Sequence, residues 1–280
     1  MKDKLTFCMA GLTHPGLVRQ DNQDNFHVAP FGTQGQVLAV VADGVGAYYG
    51  GDEAARLAVT RLPQELAGSG ATDGAAFMDA VIRTHNAIYE GRFANPAWLS
   101  MCCVGTAVLF DTEARQLHLG HLGDTRLYAF AGNRLIKLSH DHSYVGTLEE
   151  QGLLSEVQAM SHPRRNVIER VAADFPLEPD SSYYQTATLP LAEGITYLLC
   201  SDGLTDMVTS AELIDILSAT EPVQSKAQRL VDAANRAGGR DNVTVVLTHE
   251  CSVPTADTAS VMQSYAHYAR TGYGSPASPQ

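Results

Sequence analysis

The sequence is short of the features that would place it in several common classes. Its five cysteines contain no Cys-x-x-Cys pair, their spacings match no zinc pattern, and the odd count argues against a disulfide framework. They read as buried free thiols in a reducing compartment. Basic charge is scarce: 19 Lys and Arg stand against 31 Asp and Glu, a net charge of -12, which excludes a general nucleic-acid or anionic-membrane surface. No apolar run reaches membrane-spanning length, and Met1-Lys2-Asp3-Lys4-Leu5 lacks a signal-peptide apolar region. The expectation is a soluble cytoplasmic protein. Also missing are a Gly-x-Ser-x-Gly elbow, His-Glu-x-x-His, a Walker loop, an EF-hand loop and any internal repeat. No cysteine is followed by Arg six residues on, and Val45 stands where an Asp-x-Asp nucleophile motif needs its second Asp.

What is present centres on Val37-Leu38-Ala39-Val40-Val41-Ala42-Asp43-Gly44, an apolar, β-branched run that ends on a carboxylate. Such a run suits a strand covered on both faces. Asp-Gly alone reads as a hairpin turn, and Gly44, without a Cβ, also lets its carbonyl approach a ligand closely. The pattern returns at Leu198-Leu199-Cys200-Ser201-Asp202-Gly203, and Asp124 and Asp241 stand at further apolar-strand edges. Gly44-Val45-Gly46 is no dinucleotide loop, because Tyr49 occupies the third glycine position.

Around that strand the periodicities predict strands over residues 5–12, from Phe26 and Val28, and over 105–110, 116–122, 126–130, 135–138, 196–200 and 243–249. Gly132-Asn133 reads as a hairpin tip. Helices are predicted over 52–67, kinked or shortened by Pro63, and over 75–93, 210–217 and 222–237. Residues 139–184 read as an irregular flap. It holds a helix capped by Ser143, a second near Ser155 and a third over 165–172. Residues 1–250 form the expected domain; 251–280 is a tail expected to be mobile, with Tyr265, Tyr268 and Tyr273 offering an alternative docking helix.

Brought together, Asp24, Asp43, Asp124, Asp202 and Asp241 would repel one another strongly unless cations offset them. An all-oxygen set points to hard ions, Mg²⁺ or Mn²⁺. Two such ions about 3.5–4 Å apart would activate a water near neutrality, and the planar fork of Arg19 matches phosphate oxygens. The combination amounts to phosphoryl hydrolysis without a covalent intermediate. His140-Asp141-His142 is a competing ligand cluster that a polar strand-to-helix corner explains equally well.

In this order and spacing, across residues 11–247, the motifs resemble those of the metal-dependent protein serine/threonine phosphatases of type 2C, in their compact bacterial form. They are Gly16-Leu17-Val18-Arg19, Asn22-Gln23-Asp24, Val41-Ala42-Asp43-Gly44-Val45-Gly46, Gly105-Thr106-Ala107, His121-Leu122-Gly123-Asp124-Thr125-Arg126 and Asp141-His142-Ser143. Leu199-Cys200-Ser201-Asp202-Gly203-Leu204-Thr205-Asp206 and Gly239-Arg240-Asp241-Asn242-Val243-Thr244-Val245-Val246 complete the series. The resemblance implies an α+β fold, a four-layer α-β-β-α sandwich of two antiparallel sheets with helices on both outer faces and a flap at the sheet edge. It implies that Asp43 bridges two Mn²⁺ or Mg²⁺ ions, that the Gly44 carbonyl binds one, and that Asp202 and Asp241 hold the other. Asp24 would act through water, Asp124 with Asp202 would form a third site, and Arg19 would hold the phosphate. Phosphorylated proteins would be the substrates and a serine/threonine kinase the opposing partner, with a monomer as the default state. Small phosphoesters, or a non-catalytic docking role, are the alternatives. Val45 and Tyr48 stand where some members carry a His used as general acid, and Gln23 replaces an acidic residue found in others. Neither change removes a direct ligand.

Overall fold

The computed structural model describes residues 6–32, 35–45, 50–70, 73–179, 181–251 and 256–271. In chain order these form β1 (Phe7–His14), β2 (Asp24–Phe31), β3 (Gln36–Gly44), α1 (Gly51–Gly68), α2 (Gly74–Gly91), β4 (Cys103–Asp111), β5 (Gln116–Leu122), β6 (Arg126–Ala131) and β7 (Arg134–Lys137). There follow α3 (Tyr144–Glu150), α4 (Glu156–Met160), β8 (Gln185–Pro190), β9 (Thr196–Cys200), α5 (Asp202–Thr205), α6 (Ser210–Ser218), α7 (Val223–Arg236), β10 (Val243–Glu250) and α8 (Ala256–Thr271).

Two five-stranded antiparallel sheets result, in the orders β1-β10-β9-β6-β7 and β2-β3-β4-β5-β8. The continuous apolar run of β3 is explained by its two buried faces. Val37, Ala39 and Val41 point between the sheets with Phe110, Leu127 and Tyr197. Leu38, Val40 and Ala42 point outward beneath Val59, Leu62 and Leu66 of α1 and Phe77 and Val81 of α2. On the far side Leu198, Val245 and Leu247 pack against Leu213 of α6 and Leu230 and Val231 of α7. Alternate residues of one strand thus enter two different cores, giving the expected α-β-β-α layering.

Gly132 and Asn133 both take positive φ (56° and 59°) and close the β6–β7 hairpin. Several expectations need correction. Helix α1 is not shortened at Pro63 but runs to Gly68, because Leu62 and Leu66 are pinned in the core on either side of it. The third flap helix does not form: Val167 O accepts from Tyr144 N–H (2.9 Å), Glu169 N–H donates to His142 O (2.8 Å) and Ala172 N–H donates to Cys103 O (2.7 Å). Backbone groups that a helical ladder would use are thus bonded to segments distant in sequence. β8, unpredicted, pairs with β5, and its short Thr/Ala alternation is weak as a strand signal.

The cysteines are only partly free. Cys8 and Cys251 form a disulfide, brought together by the β1–β10 pairing that sets Phe7 opposite Glu250; Cys102, Cys103 and Cys200 remain free thiols. The stretch expected to be a mobile tail contains α8 instead. Met262 and Tyr265 enter the inter-sheet core, and Tyr265 shares a 2.8 Å hydroxyl contact with Tyr197. Gln185 donates to the Tyr268 hydroxyl (2.9 Å), while Tyr273 lies outside the described residues. Among the described residues no helix is long and apolar enough to cross a membrane.

Candidate active site

The strands deliver their terminal aspartates to one edge of the sandwich. Asp24 opens β2 and is paired in register with Asp43 at the end of β3. Asp124 follows β5, Asp202 opens α5 directly after β9, and Asp241 stands just before β10. At this edge each strand begins or ends where its sequence passes to Asp, Gly, Asn or Ser. Gly44 is required sterically, since a Cβ there would lie 2.3 Å from the Gly51 carbonyl oxygen at the start of α1.

A cleft of 380 Å³ opens over this edge. Asp43, Gly44, Asp202 and Asp241 line it together with Arg19, and Asn166 and Ile168 of the flap form part of its wall. Asp24 and Asp124 lie just beneath, each buried. Arg19 Nη2 donates to Asp241 Oδ2 at 2.7 Å, so its guanidinium stands over the carboxylates with further N–H groups to offer. A second cavity, of 50 Å³, lies under α1 and α2; its mainly apolar lining lacks the aspartates.

Asn242 fixes the wall that carries Arg19. Its Nδ2 donates to the carbonyls of Pro15 (3.0 Å) and Asp21 (2.9 Å), and its Oδ1 accepts from Gln23 N–H (2.8 Å). Gln23 O in turn accepts from Gly44 N–H at 3.1 Å, which ties the loop to the end of β3. Ser201 bonds Asp24 across the two sheets at 2.7 Å. The sequence motifs mark Asn242 and Ser201 only as neighbours of an aspartate and assign neither a role of its own.

Electrostatics set this edge apart. Burial, and then Asp24, Asp202, Asp124 and Asp241 in turn, hold the Asp43 carboxyl well above the ordinary carboxylate range. Burial, then Asp124, Asp206 and Asp241, do the same for Asp202. Burial pushes Asp24 up to about 6 and, with Asp141 and Asp206, Asp124 up to about 7. Among the described residues, Asp24 Oδ1 and Asp124 Oδ1 are buried without a hydrogen-bond partner.

Orphaned, mutually repelling carboxylate oxygens with no His or Cys among them fit hard divalent cations. Among the described residues no three His, Cys, Asp or Glu side chains close on one point tightly enough to hold an ion alone. The fit therefore calls on the Gly44 carbonyl and on water to complete a shell, as Mg²⁺ and Mn²⁺ readily accept. The competing cluster is otherwise engaged. Asp141 pairs with Arg126 (2.6 Å) and Lys137 (3.3 Å), which bring it down to about 2 against the upward push of burial. His142 Nδ1 accepts from Gly123 N–H, and His140 pairs with Glu150. Val45 adjoins the cleft without a titratable group, and Tyr48 lies outside the described residues.

Comparison with known proteins places this architecture. Residues 16–237 match the family model described as protein phosphatase 2C. The chain is 34% identical over 234 residues to the serine/threonine protein phosphatase PstP of Mycobacterium tuberculosis, covering 83% of this chain but 43% of that protein. It is 33% identical over 239 residues to the serine/threonine phosphatase stp of Listeria welshimeri, covering 84% of this chain and 92% of the relative. The crystal structure of the PstP catalytic domain in complex with two manganese ions superposes with a TM-score of 0.73 at 30% identity, over 88% of this chain and 98% of that one. With the family model spanning most of its length, the chain belongs to the protein phosphatase 2C family.

Proposed function

We propose that the protein is a metal-dependent phosphatase that hydrolyses phosphoserine and phosphothreonine in proteins, opposing a serine/threonine kinase. The observation that carries this reading is the convergence, at one sandwich edge, of five aspartates from both sheets beside an arginine, with two carboxylate oxygens buried and unpartnered. Asp43, the Gly44 carbonyl, Asp202 and Asp241 would hold two Mn²⁺ or Mg²⁺ ions, and Asp124 with Asp202 a third. Bound there, such ions would supply Lewis acidity for attack of water at phosphorus and offset charge on the phosphoryl oxygens.

The chain's own residues supply the rest. Arg19, anchored through one nitrogen to Asp241, turns its remaining donors to a phosphate and fixes its orientation. Asp24, buried beneath the cleft with Oδ1 lacking a hydrogen-bond partner, would act through a water held between it and the cleft, helping to align the attack. The loop held by Asn242 keeps Arg19 and the end of β3 in register. Asn166 and Ile168 of the flap border the space into which a peptide carrying the phosphate would enter.

The test is phosphate release from a phosphothreonine peptide with and without Mn²⁺, with Asp43→Asn as control. Metal-dependent turnover that disappears in Asp43→Asn is the expected result. Turnover of small metabolite phosphates alone would replace the protein substrate with small phosphoesters. A folded chain inactive in either metal would leave a docking module.

A further inference from the structure

Ser201 ends the apolar run of β9 one residue before Asp202, and it is completely buried. Its backbone N–H donates to Thr244 O at 3.0 Å, and its hydroxyl oxygen accepts from Thr244 N–H at 2.9 Å. β10 therefore clamps this residue through both main chain and side chain. The hydroxyl has one proton to give. It goes to Asp24 Oδ2 at 2.7 Å; the alternative acceptor, Asn242 O, lies at 3.5 Å.

A buried serine commonly satisfies itself on its own strand. Here the donor crosses from one sheet to the first residue of a strand in the other. The backbone of Asp24 is fixed as well, because its N–H donates to Asn22 Oδ1 at 3.1 Å and β2 pairs it with Asp43. With the backbone set and Oδ2 engaged, the side-chain rotation is restrained, and Oδ1 is the buried oxygen without a hydrogen-bond partner. We infer that Ser201 is a positioning residue: by engaging Oδ2 it determines which oxygen of Asp24 is left without a hydrogen-bond partner and holds that carboxylate in place beneath the cleft, opposite Asp43. The inference rests on the phosphatase reading of the cleft. In that reading the dipeptide Ser201-Asp202 has two tasks, presenting one carboxylate itself and aiming another supplied by the opposite sheet.

Groups that orient a site's carboxylates commonly change metal affinity or activity 10- to 100-fold when removed. Ser201→Ala should therefore weaken Mn²⁺ binding, measured by calorimetry, by about 10-fold or more. It should lower kcat on a phosphothreonine peptide while leaving KM nearly unchanged, because Arg19 and the flap border are untouched. Ser201→Thr, which keeps the hydroxyl, should recover most of both losses. In an Asp24→Asn background the same Ser201→Ala change should have little further effect, since the group it aims is already altered.

Wild-type Mn²⁺ affinity and kcat in Ser201→Ala would overturn the assignment. So would an equal loss from Ser201→Ala with and without Asp24→Asn, because additivity means the two residues act independently. Should the alanine variant lose its fold, Ser201→Cys, close in size and a weaker donor, carries the same comparison. A wild-type chain that neither binds Mn²⁺ nor turns over would sink the phosphatase reading and this one with it. Intact wild-type behaviour with additive variants would sink the role of Ser201 alone.

Discussion

Arg165, in the flap, donates from Nε to Asp206 Oδ2 at 3.0 Å and so ties the flap to the residue that caps α5. α5 begins with Asp202, and Asn166 and Ile168, beside Arg165, line the cleft. The contact therefore sets the distance between one wall of the cleft and its floor. Both side chains are about one-quarter exposed (27% and 26%), so the pair contributes at most about 1 kcal/mol to global stability. Arg165→Ala should accordingly leave the unfolding midpoint almost unchanged. Amide exchange across residues 156–171 should accelerate, and KM for a phosphopeptide should rise several-fold. Unaltered exchange in that segment would show that other contacts hold the flap.

The buried carboxylates give the protein a pH dependence of defined sign. Asp24 and Asp206 are raised to about 6 and Asp124 to about 7, in each case by burial first. The folded state thus binds protons more tightly than the unfolded chain, and stability is lost as pH rises from about 4 through 7. His121 and His142, lowered by burial to about 4 and about 2, act in the opposite sense, losing stability as pH falls below the ordinary histidine range. Comparing melting temperatures with Mn²⁺ and with chelator at each pH cancels the histidine contribution. Because cations compete with protons for the same carboxylates, the Mn²⁺-induced rise should be small at pH 5 and large at pH 8. The rise should depend less on pH in Asp124→Asn. A rise independent of pH would mean that Mn²⁺ binds elsewhere.

The layered fold and the aspartates at its edge were legible because local pattern and tertiary position coincide there. β3 is buried on both faces, so its apolar run is unbroken, and Asp43 marks the point where the run leaves the core. The flap was less legible. Residues 165–172 look helical in isolation, but their partners are His142, Tyr144 and Cys103, distant in sequence. The position of α8 depends on a pocket made by Pro190 and Tyr197, and the Cys8–Cys251 pair depends on the register of β1 with β10. Such information lies in the assembled sheets and in no single segment. Ser201 and Asn242 were hidden for a related reason: each bonds groups contributed by another part of the chain.

Gly203 tests how closely α5 must approach β10. A Cβ at this position would lie 1.9 Å from the Asn242 carbonyl oxygen, a backbone atom with no freedom to swing away. Gly203→Ala must therefore displace either the first turn of α5, with Asp202, or the segment carrying Asp241 and Asn242. The expected outcome is a large loss of Mn²⁺ affinity together with destabilisation of about 1–3 kcal/mol, as in overpacked cores. Calorimetry and urea unfolding would measure the two. Wild-type affinity in a folded Gly203→Ala protein would show that the cleft tolerates movement at α5.

Tyr265 tests whether α8 is an integral part of the fold. Its ring is completely buried among residues of both sheets, and its hydroxyl donates to Pro190 O while meeting the Tyr197 hydroxyl at 2.8 Å. Pro190 pairs with Gln116, at the end of the sheet remote from Asp43 and Gly44. Tyr265→Phe keeps the ring but leaves the Pro190 carbonyl and the Tyr197 hydroxyl without that partner, costing about 1–3 kcal/mol. Tyr265→Ala also opens a cavity between the sheets and should cost about 3–5 kcal/mol. Urea unfolding of the two variants should place them in that order, both below wild type, with kcat close to wild type while each remains folded. If Tyr265→Ala unfolded at the wild-type midpoint, α8 would be dispensable to the core, and the sequence-based expectation of a mobile tail would return.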